Sequence, residues 1–282
     1  MANTIQTAVR YLNNDVELQN IFKTRSFTSD WIKPNVAIGA KTVKYRQVTF
    51  GSTVLGTFNR ETGYTKTDIN VSWAERELTQ DKGNSLMLDK MDGEEAQSLE
   101  IATVGNKYLQ SVVAPAVDTY NLAAVAEASG VEGATGNISA SNIEAAIDAG
   151  LDHLYSVGAT EGVALYIKSS AARLLKNAAK SSGSISLGNW NGEYGTEVKV
   201  YGDTIKAKVV EIPDALFPSG VAFFLLPVAA VTFIVKYRDN EYFDKVPGFG
   251  SRRQQLDIGV YYDCWVEPGA EEAIYVHAGT VS

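Results

Sequence analysis

The sequence has little of the side-chain chemistry on which most enzymes and secreted scaffolds depend. Its 282 residues include one cysteine, Cys264, and two histidines, His153 and His277. One thiol cannot form an internal disulfide, and so few His and Cys side chains exclude a dense His/Cys zinc site. They also leave little material for a nucleophile–histidine pair. We expect no cofactor and no metal, and we expect that the chain is not an enzyme.

Long apolar runs and a surplus of positive charge are also missing. The longest apolar run, Val221 to Val235, is shorter than the roughly 20 residues of a membrane-spanning helix and contains Pro227. It predicts two buried strands around a turn, and no membrane association is expected. The chain carries 25 Lys and Arg against 33 Asp and Glu, a formal charge of −8. That balance excludes a duplex-wrapping protein, which needs cations to neutralise phosphates.

Common nucleotide and metalloprotease motifs are absent as well. No GxxxxGK[ST] or HExxH pattern occurs. Gly130, Gly133 and Gly136 form a GxxGxxG pattern, but it follows a predicted helix rather than a strand. A dinucleotide site needs the glycines between a strand and a helix, so this pattern does not indicate one.

Two segments alternate with the period of a β-strand. Val43 and Tyr45 alternate with basic residues, and Ile69, Val71 and Trp73 alternate with small or polar ones. This period predicts half-buried strands. The polar, glycine-containing stretch between them predicts a long hairpin. Because an isolated two-stranded ribbon is marginally stable in water, we expect the hairpin to pack on its own domain or on a neighbouring subunit.

The strongest helical pattern follows the hairpin. Apolar residues recur there at the spacing of one helix face: Ile101, Val104, Gly105, Tyr108, Leu109 and Val112. The pattern predicts a helix of about 33 Å from Asp92 to Val113, and Pro115 is expected to end it. The later strands and helices lack regular βαβ alternation, so the predicted fold class is α+β.

The order of these elements resembles the major capsid proteins of tailed bacteriophages, which have the Hong Kong 97-like fold. No single motif carries this resemblance, which depends on the order and spacing of four stretches across nearly the whole chain from about Lys41. They are Leu88–Glu95 at the start of the long helix, Val112–Tyr120 leaving it, Val210–Pro218 as a strand and turn, and Gly259–Val266 as a late strand.

The resemblance implies an N-terminal arm, an extended hairpin (the E-loop), a long spine helix, and peripheral and axial domains. The arm would comprise residues 1–40, and the E-loop hairpin with its flanking strands residues 41–80. The peripheral domain with the spine helix would comprise residues 81–115 and 223–267. The axial domain would comprise residues 116–222 and 268–282.

The resemblance also implies a function and partners. The chain would be a major capsid protein that assembles with itself as pentamers and hexamers into an icosahedral shell around double-stranded DNA. It would be made in the bacterial host cytoplasm and reside in the virion. The predicted spine helix begins only about ninety residues from Met1, so no N-terminal assembly domain is expected. A separate scaffolding protein and a portal are then implied as partners.

Two groups of residues are the candidate sites. The tip of the hairpin is expected to form a polar, charge-matched contact with an adjacent subunit, through Thr53, Arg60, Glu61, Tyr64 and Lys66. The core face of the spine helix is expected to comprise Ile101, Val104, Tyr108, Leu109 and Val112.

Two other functions remain open at this point. An encapsulin-like compartment shell shares the fold but encloses a cargo enzyme, and the neighbouring genes would distinguish it. A soluble α+β enzyme would need a convergent polar site, which the motifs above do not indicate.

Overall fold

The computed structural model describes most of the chain in a series of segments. They are residues 21–23, 25–33, 37–38, 42–50, 57–58, 60–61, 63–64, 68–89, 101–182, 188–191, 197–201, 207–243 and 253–281. The arm before residue 21, the predicted helix start at Asp92 and the tip residues Thr53 and Lys66 lie outside these segments.

Strands and helices are both present, which confirms the predicted α+β class. The strands are β1 (Ala37–Ile38), β2 (Thr42–Phe50), β3 (Ile69–Glu77), β4 (Gln80–Asp89), β5 (Glu132–Thr135), β6 (Val163–Lys168), β7 (Gly188–Asn191), β8 (Glu197–Tyr201), β9 (Ala207–Ile212), β10 (Val221–Pro227), β11 (Val231–Phe243), β12 (Arg253–Val266) and β13 (Tyr275–Ala278). The helices are α1 (Ile101–Tyr108), a π-helical segment (Leu109–Val113), α2 (Ala114–Ala126), α3 (Ile143–Ser156) and α4 (Ser169–Ser182). Short 3-10 helices lie at Ser29–Trp31, Val228–Ala230 and Glu271–Ala273.

The described strands form three sheets. One has the order β1-β2-β3 and contains the hairpin, and one has the order β11-β12-β4 with antiparallel neighbours. The third has the order β5-β13-β10-β6-β9-β8-β7 and is mixed, since β6 runs parallel to β9 and β13 parallel to β5. The long β-hairpin is therefore confirmed, with β2 and β3 paired from Thr42↔Glu77 to Phe50↔Ile69.

The seven-stranded sheet is built around a strand that is buried along its whole length. All residues of β10 are buried, as a continuous apolar run requires when both faces of a strand are covered. Helices α3 and α4 cover one face, where a core forms from Ile147, Leu175, Phe223 and similar residues. As predicted, the apolar run from Val221 to Val235 forms two strands around a short turn.

The other core joins the long helical region to both larger sheets. Leu109 and Val117 pack there with Ile258 of β12 and with Phe224 of β10. Gly105 allows the close approach of α1 to the sheet, because a Cβ atom at this position would lie 2.5 Å from Cδ2 of Leu256.

The long helix does not end at Pro115, which corrects the sequence-based prediction. Helical structure continues without a break from Ile101 to Ala126, and Pro115 lies at the start of α2. Proline normally clashes with the carbonyl four residues earlier, here that of Ser111. Ser111 lies in the π-helical segment, where the bond from the Ala114 N–H to the Leu109 carbonyl has i→i+5 spacing. This wider turn just before Pro115 accommodates its ring and its missing N–H.

The same segment moves Val112 out of the expected core face. Val112 is 48% exposed, whereas Leu109 is only 2% exposed and Val113 is partly buried. A π-type bond spans one residue more than an α-type bond, so the residues within the turn are spaced differently around the helix axis. Val104 and Tyr108, which precede the segment, are partly buried, and the side chain of Ile101 lies outside the described set.

The strand pairing also shifts the expected division of the chain. Residues 223–227, expected in the peripheral domain, belong to β10 of the seven-stranded sheet. Helix α2, expected in the axial domain, packs on β12. Both differences arise because long-range pairing, rather than position along the chain, determines which sheet an element joins.

The two faces of the helix should respond differently to a charge. We expect Leu109→Asp to lower the thermal midpoint of the unassembled chain by on the order of 10 °C, since it buries a charge without a partner. Val112→Asp should change the free energy of unfolding by less than about 0.5 kcal/mol, since the side chain reaches solvent. Thermal unfolding followed by circular dichroism tests both variants. Equal losses would contradict the helix register.

Candidate functional site

Specific ligand chemistry is sparse in the described part of the chain. No three His, Cys, Asp or Glu side chains in these segments are grouped so that they could hold a metal ion. No helix in these segments is long and apolar enough to cross a membrane. The features best suited to a function are an exposed apolar hairpin and the contacts that orient it.

The hairpin carries an exposed apolar stripe on one face of β3. Ile69, Val71 and Trp73 are 64%, 56% and 63% exposed, and we call these three residues the apolar stripe. The sequence pattern predicted that they would be half-buried, and in the single chain this prediction is wrong. The alternation predicts the strand itself, but more than half of each of these side chains stays exposed.

Among the hairpin side chains that the structure describes, the buried ones lie at its base. Val43 and Leu78 pack with Ile234 of β11 and Trp265 of β12 in a small separate core. The Arg76 guanidinium lies 4.8 Å from the centre of the Trp265 ring, a cation–π contact. These contacts anchor the hairpin to the β11-β12-β4 sheet and leave its outer part to project from the domain.

The tip combines charge with aromatic surface. Arg60 and Glu61 are exposed, and Tyr64 is 78% exposed. The ring centres of Phe58 and Tyr64 lie 5.0 Å apart. The tip was expected to be polar, and Phe58 was not singled out from the sequence. The described residues of the tip set, Arg60, Glu61 and Tyr64, lie outside the paired strands β2 and β3. Leu109 of the spine-helix set lies in the main core.

A buried carboxylate holds part of the N-terminal arm against α2. Residues 25–33, which we call the strap, contain four donors to Asp118, one of them the Thr28 N–H at 3.3 Å from Oδ1, and Asp118 is only 1% exposed. Ser26 Oγ donates to Oδ1 at 2.5 Å and Thr28 Oγ1 to Oδ1 at 2.8 Å, while the Phe27 N–H donates to Oδ2 at 3.0 Å. Asn121, one helical turn later, donates through Nδ2 to Thr28 Oγ1 at 2.9 Å.

The strap continues from α2 to both larger sheets. Trp31 is fully buried, and its ring lies 5.0 Å from that of Tyr166 in β6. Asp30 forms an ion pair with Lys208 of β9. Lys33 Nζ donates to the Ala229 carbonyl at 3.0 Å, just before β11. The strap therefore ties together elements that are distant in the sequence.

Burial raises the pKa of Asp118 above its ordinary value of 3.8, although the hydrogen bonds from Ser26, Thr28 and Phe27 act in the opposite direction. The sequence patterns do not single out this group. The available signal was a pair of polar residues, Asp118 and Asn121, on the face of α2 that also buries Val117 and Leu122. Their partners lie about ninety residues away, a separation that local patterns do not reveal.

Comparison with solved structures identifies the fold. The capsid structure of the cyanophage P-SCSP1u matches with a TM-score of 0.58 and 11% sequence identity, over 87% of this chain and 85% of that chain. The mature capsid of bacteriophage PhiM1 matches with a TM-score of 0.54 and 12% identity, over 84% and 82%. The virus-like particle from Pyrococcus furiosus matches with a TM-score of 0.55 and 13% identity, over 95% and 99%.

No family model matches the sequence, and no curated protein matches it significantly. At these low identities the structural likeness establishes the fold. The chain has the Hong Kong 97-like fold found in phage capsid structures, which confirms the expected fold class.

The strap contact should depend on pH with a defined sign. Because the folded state raises the pKa of Asp118, it binds the proton more tightly than the unfolded chain does. The stability contributed by this group is therefore full below pH 3.8 and is lost as the pH rises through the raised pKa. We expect the free energy of unfolding of the wild type, relative to that of Asp118→Asn, to fall over this range.

Denaturant unfolding of both proteins at a series of pH values measures this difference. A difference that does not change with pH would contradict the assignment.

Asp118→Ala, which leaves several buried donors without their acceptor, should lower the free energy of unfolding by at least about 1–3 kcal/mol at every pH.

Proposed function

We propose that this chain is the major capsid protein of a tailed bacteriophage. It assembles with itself as pentamers and hexamers into an icosahedral shell that encloses double-stranded DNA. The observation that carries the proposal is a capsid fold whose long hairpin exposes an apolar stripe in the single chain. An exposed contiguous apolar surface of this kind marks an interaction site in a soluble protein.

A shell built from one kind of chain needs surfaces that differ from one another. In a ring of identical subunits each copy uses one surface toward the next copy and another toward the previous copy. The hairpin and the domain from which it projects supply two such surfaces. A neighbouring copy would cover the apolar stripe and stabilise a ribbon that is marginal when isolated.

We further propose domain boundaries that follow the sheets and differ from those expected from the sequence. We assign the β11-β12-β4 sheet and the helical region from Ile101 to Ala126 to the peripheral domain. The seven-stranded sheet with α3 and α4 forms the axial domain, which includes β10 and the C-terminal strand β13. Residues 41–80 form the E-loop and its flanking strands, and residues 1–40 form the arm.

The net charge of −8 fits a container for nucleic acid. Strong phosphate contacts would retain the genome on the shell wall, whereas an acidic chain makes few of them. A separate scaffolding protein and a portal are the further partners, and the virion is the location of the assembled protein after synthesis in the host cytoplasm.

A compartment shell without a phage genome is the second candidate. The virus-like particle from Pyrococcus furiosus matches 95% of this chain and 99% of that chain, so a particle of that kind could be built from a chain of this length. The contents of purified particles distinguish the two functions, since a phage head holds DNA and a compartment holds a cargo protein.

Both proposed functions require the chain to assemble into a shell, so assembly tests them directly. Purified protein, with scaffold if required, should form rings or closed particles of megadalton mass, because the exposed stripe is covered only in an assembly. Electron microscopy and light scattering measure the particles. A stable monomer under every condition would reject both shell functions.

The hairpin tip should be required for assembly but not for folding. Replacing residues 53–66 by Asn-Gly should leave the thermal midpoint nearly unchanged, because the buried base residues Val43 and Leu78 remain. The same variant should form few or no particles. Particles as stable as those of the full-length chain would show that the tip is not an inter-subunit contact.

Charge at the tip should make particle stability sensitive to salt. Arg60→Glu should weaken particles most at low ionic strength, since added salt screens the new repulsion. Arg173→Glu, at an exposed position on α4, is the control. Particle yield measured by sedimentation over a range of salt concentrations compares the two variants, and equal responses would contradict a specific role for Arg60.

A further inference from the structure

Two carboxylates are buried in the described part of the chain, and both contact α2. Asp118 belongs to α2 itself and is 1% exposed, and Asp263 of β12 is 3% exposed. Burying a carboxylate costs free energy unless donors surround it, so each carboxylate depends on its partners staying in place. The strap supplies the partners of Asp118, whereas α2 and the base of the hairpin supply those of Asp263.

Asp263 joins the hairpin base to α2. The Tyr120 hydroxyl donates to Oδ1 of Asp263 at 2.9 Å, and the Thr79 N–H donates to Oδ2 at 3.3 Å. The hydroxyls of Thr79 and Tyr120 lie 3.2 Å apart, so the three residues contact one another. The Tyr120 ring also packs edge-on against Tyr262, with ring centres 5.4 Å apart. Tyr120 therefore has a defined position between α2 and β12.

Thr79 lies in the short connection from which the hairpin projects. Only residues 78 and 79 connect β3 to β4, and these two strands belong to different sheets. Leu78 is fully buried in the small core at the hairpin base, and the backbone of Thr79 is held by Asp263. The direction in which β3 leaves the domain therefore depends on the positions of Asp263 and Tyr120.

Helix α2 lies between the strap and this connection. Asp118 and Tyr120 are two residues apart, so their side chains point about 200° apart around the helix axis. The strap consequently holds one side of α2, and the other side holds Asp263 and Thr79. Rigid secondary elements transmit a displacement from one side to the other. A shift of α2 on release of the strap would therefore move the Tyr120 hydroxyl.

The docked strap leaves one buried polar atom unsatisfied. Oδ1 of Asn121 has no hydrogen-bond partner in the described part of the chain, although Nδ2 of the same side chain donates to Thr28. An unpaired buried acceptor costs free energy, and in the released state water would solvate both Asn121 and Asp118. These opposing contributions favour a segment that opens at a lower free energy than global unfolding.

We propose that the docked strap fixes the direction of the hairpin through α2. The relay consists, in order, of Thr28, Asp118, Tyr120, Asp263 and Thr79. Release of the strap loosens the hairpin base, and loosening of the base weakens the strap, because such coupling is reciprocal. The relay lies within one chain, so it does not depend on the proposed shell function. A partner that captures the strap would thereby control a hairpin that it does not touch.

Hydrogen exchange of the unassembled chain, measured by mass spectrometry on overlapping peptides, tests the relay. Thr28→Val removes a hydroxyl that donates to Asp118 and keeps the shape of the side chain. We expect exchange at Thr79 to be at least about tenfold faster in this variant. If Thr28→Val does not fold, Ser26→Ala, which removes the other hydroxyl donor, takes its place.

A core variant controls for a general loss of stability. Ile147→Val removes one methylene from the core beside α3, far from the relay in the sequence, and should leave exchange at Thr79 within about twofold of the wild type. Equal acceleration in the two variants would mean that Thr79 reports global unfolding, which would overturn the proposal. No acceleration in Thr28→Val would also overturn it.

Cutting the relay at Tyr120 tests whether the effect passes through α2. Tyr120→Phe removes the hydroxyl that joins α2 to Asp263. In this background, Thr28→Val should change exchange at Thr79 by less than about twofold. A full acceleration that persists without the Tyr120 hydroxyl would exclude the route through α2.

Tryptic cleavage measures the coupling in the opposite direction. The bond between Arg25 and Ser26 lies in the strap, and Arg25 is exposed. Tyr120→Phe should raise the cleavage rate at this bond at least about fivefold. Thr119→Val, at the neighbouring exposed position of α2, should leave the rate unchanged. Equal rates in the two variants would contradict the reciprocity and overturn the proposal. Since all of these measurements use the unassembled chain, their failure leaves the shell function intact, and a failure to form particles leaves the relay intact.

Discussion

The buried carboxylate of Asp118 is the constraint on which the arrangement of the larger elements depends. It accepts hydrogen bonds from Ser26, Phe27 and Thr28 and so fixes the strap against α2. With the strap in place, Trp31 packs on the seven-stranded sheet, and Lys33 reaches the turn before β11. One core thus extends across two sheets that, among the described strands, share no pairing. Burying a carboxylate costs free energy unless hydrogen-bond donors surround it, so the strap and α2 stabilise each other.

In the hairpin, by contrast with the strap, most of the described side chains are exposed. Its base is held by a small core around Leu78 and by the Arg76–Trp265 contact, but more than half of each side chain in the apolar stripe of β3 stays exposed. Segments with few buried contacts open at low free energy. A hairpin of this kind has little reason to be retained for the stability of its own domain. Its composition is consistent with a surface that becomes part of a core only when a second copy arrives.

The π-helical segment contributes both a core residue and an exposed residue. Within its wider turn, Leu109 lies in the main core and Val112 is exposed beside β4. A regular α-helix would have kept Val112 on the buried face that the sequence pattern predicts. One local change in hydrogen-bond spacing therefore allows the same helix to support the core and to line an apolar groove beside β4. π-Helical turns are often found at functional positions.

The sequence alone determined what local periodicity controls. The alternation around Val71 identified β3, the apolar spacing around Leu109 located the long helix, and the uninterrupted run around Phe224 indicated a buried strand. The tertiary structure decided what depends on distant partners: that Pro115 is accommodated within the helix, that the β3 stripe is exposed, and that Asp118 receives its donors from the strap. Periodicity reports which side chains share a face of an element. Whether that face is covered, and by what, depends on segments up to about ninety residues away, and no local pattern contains that information.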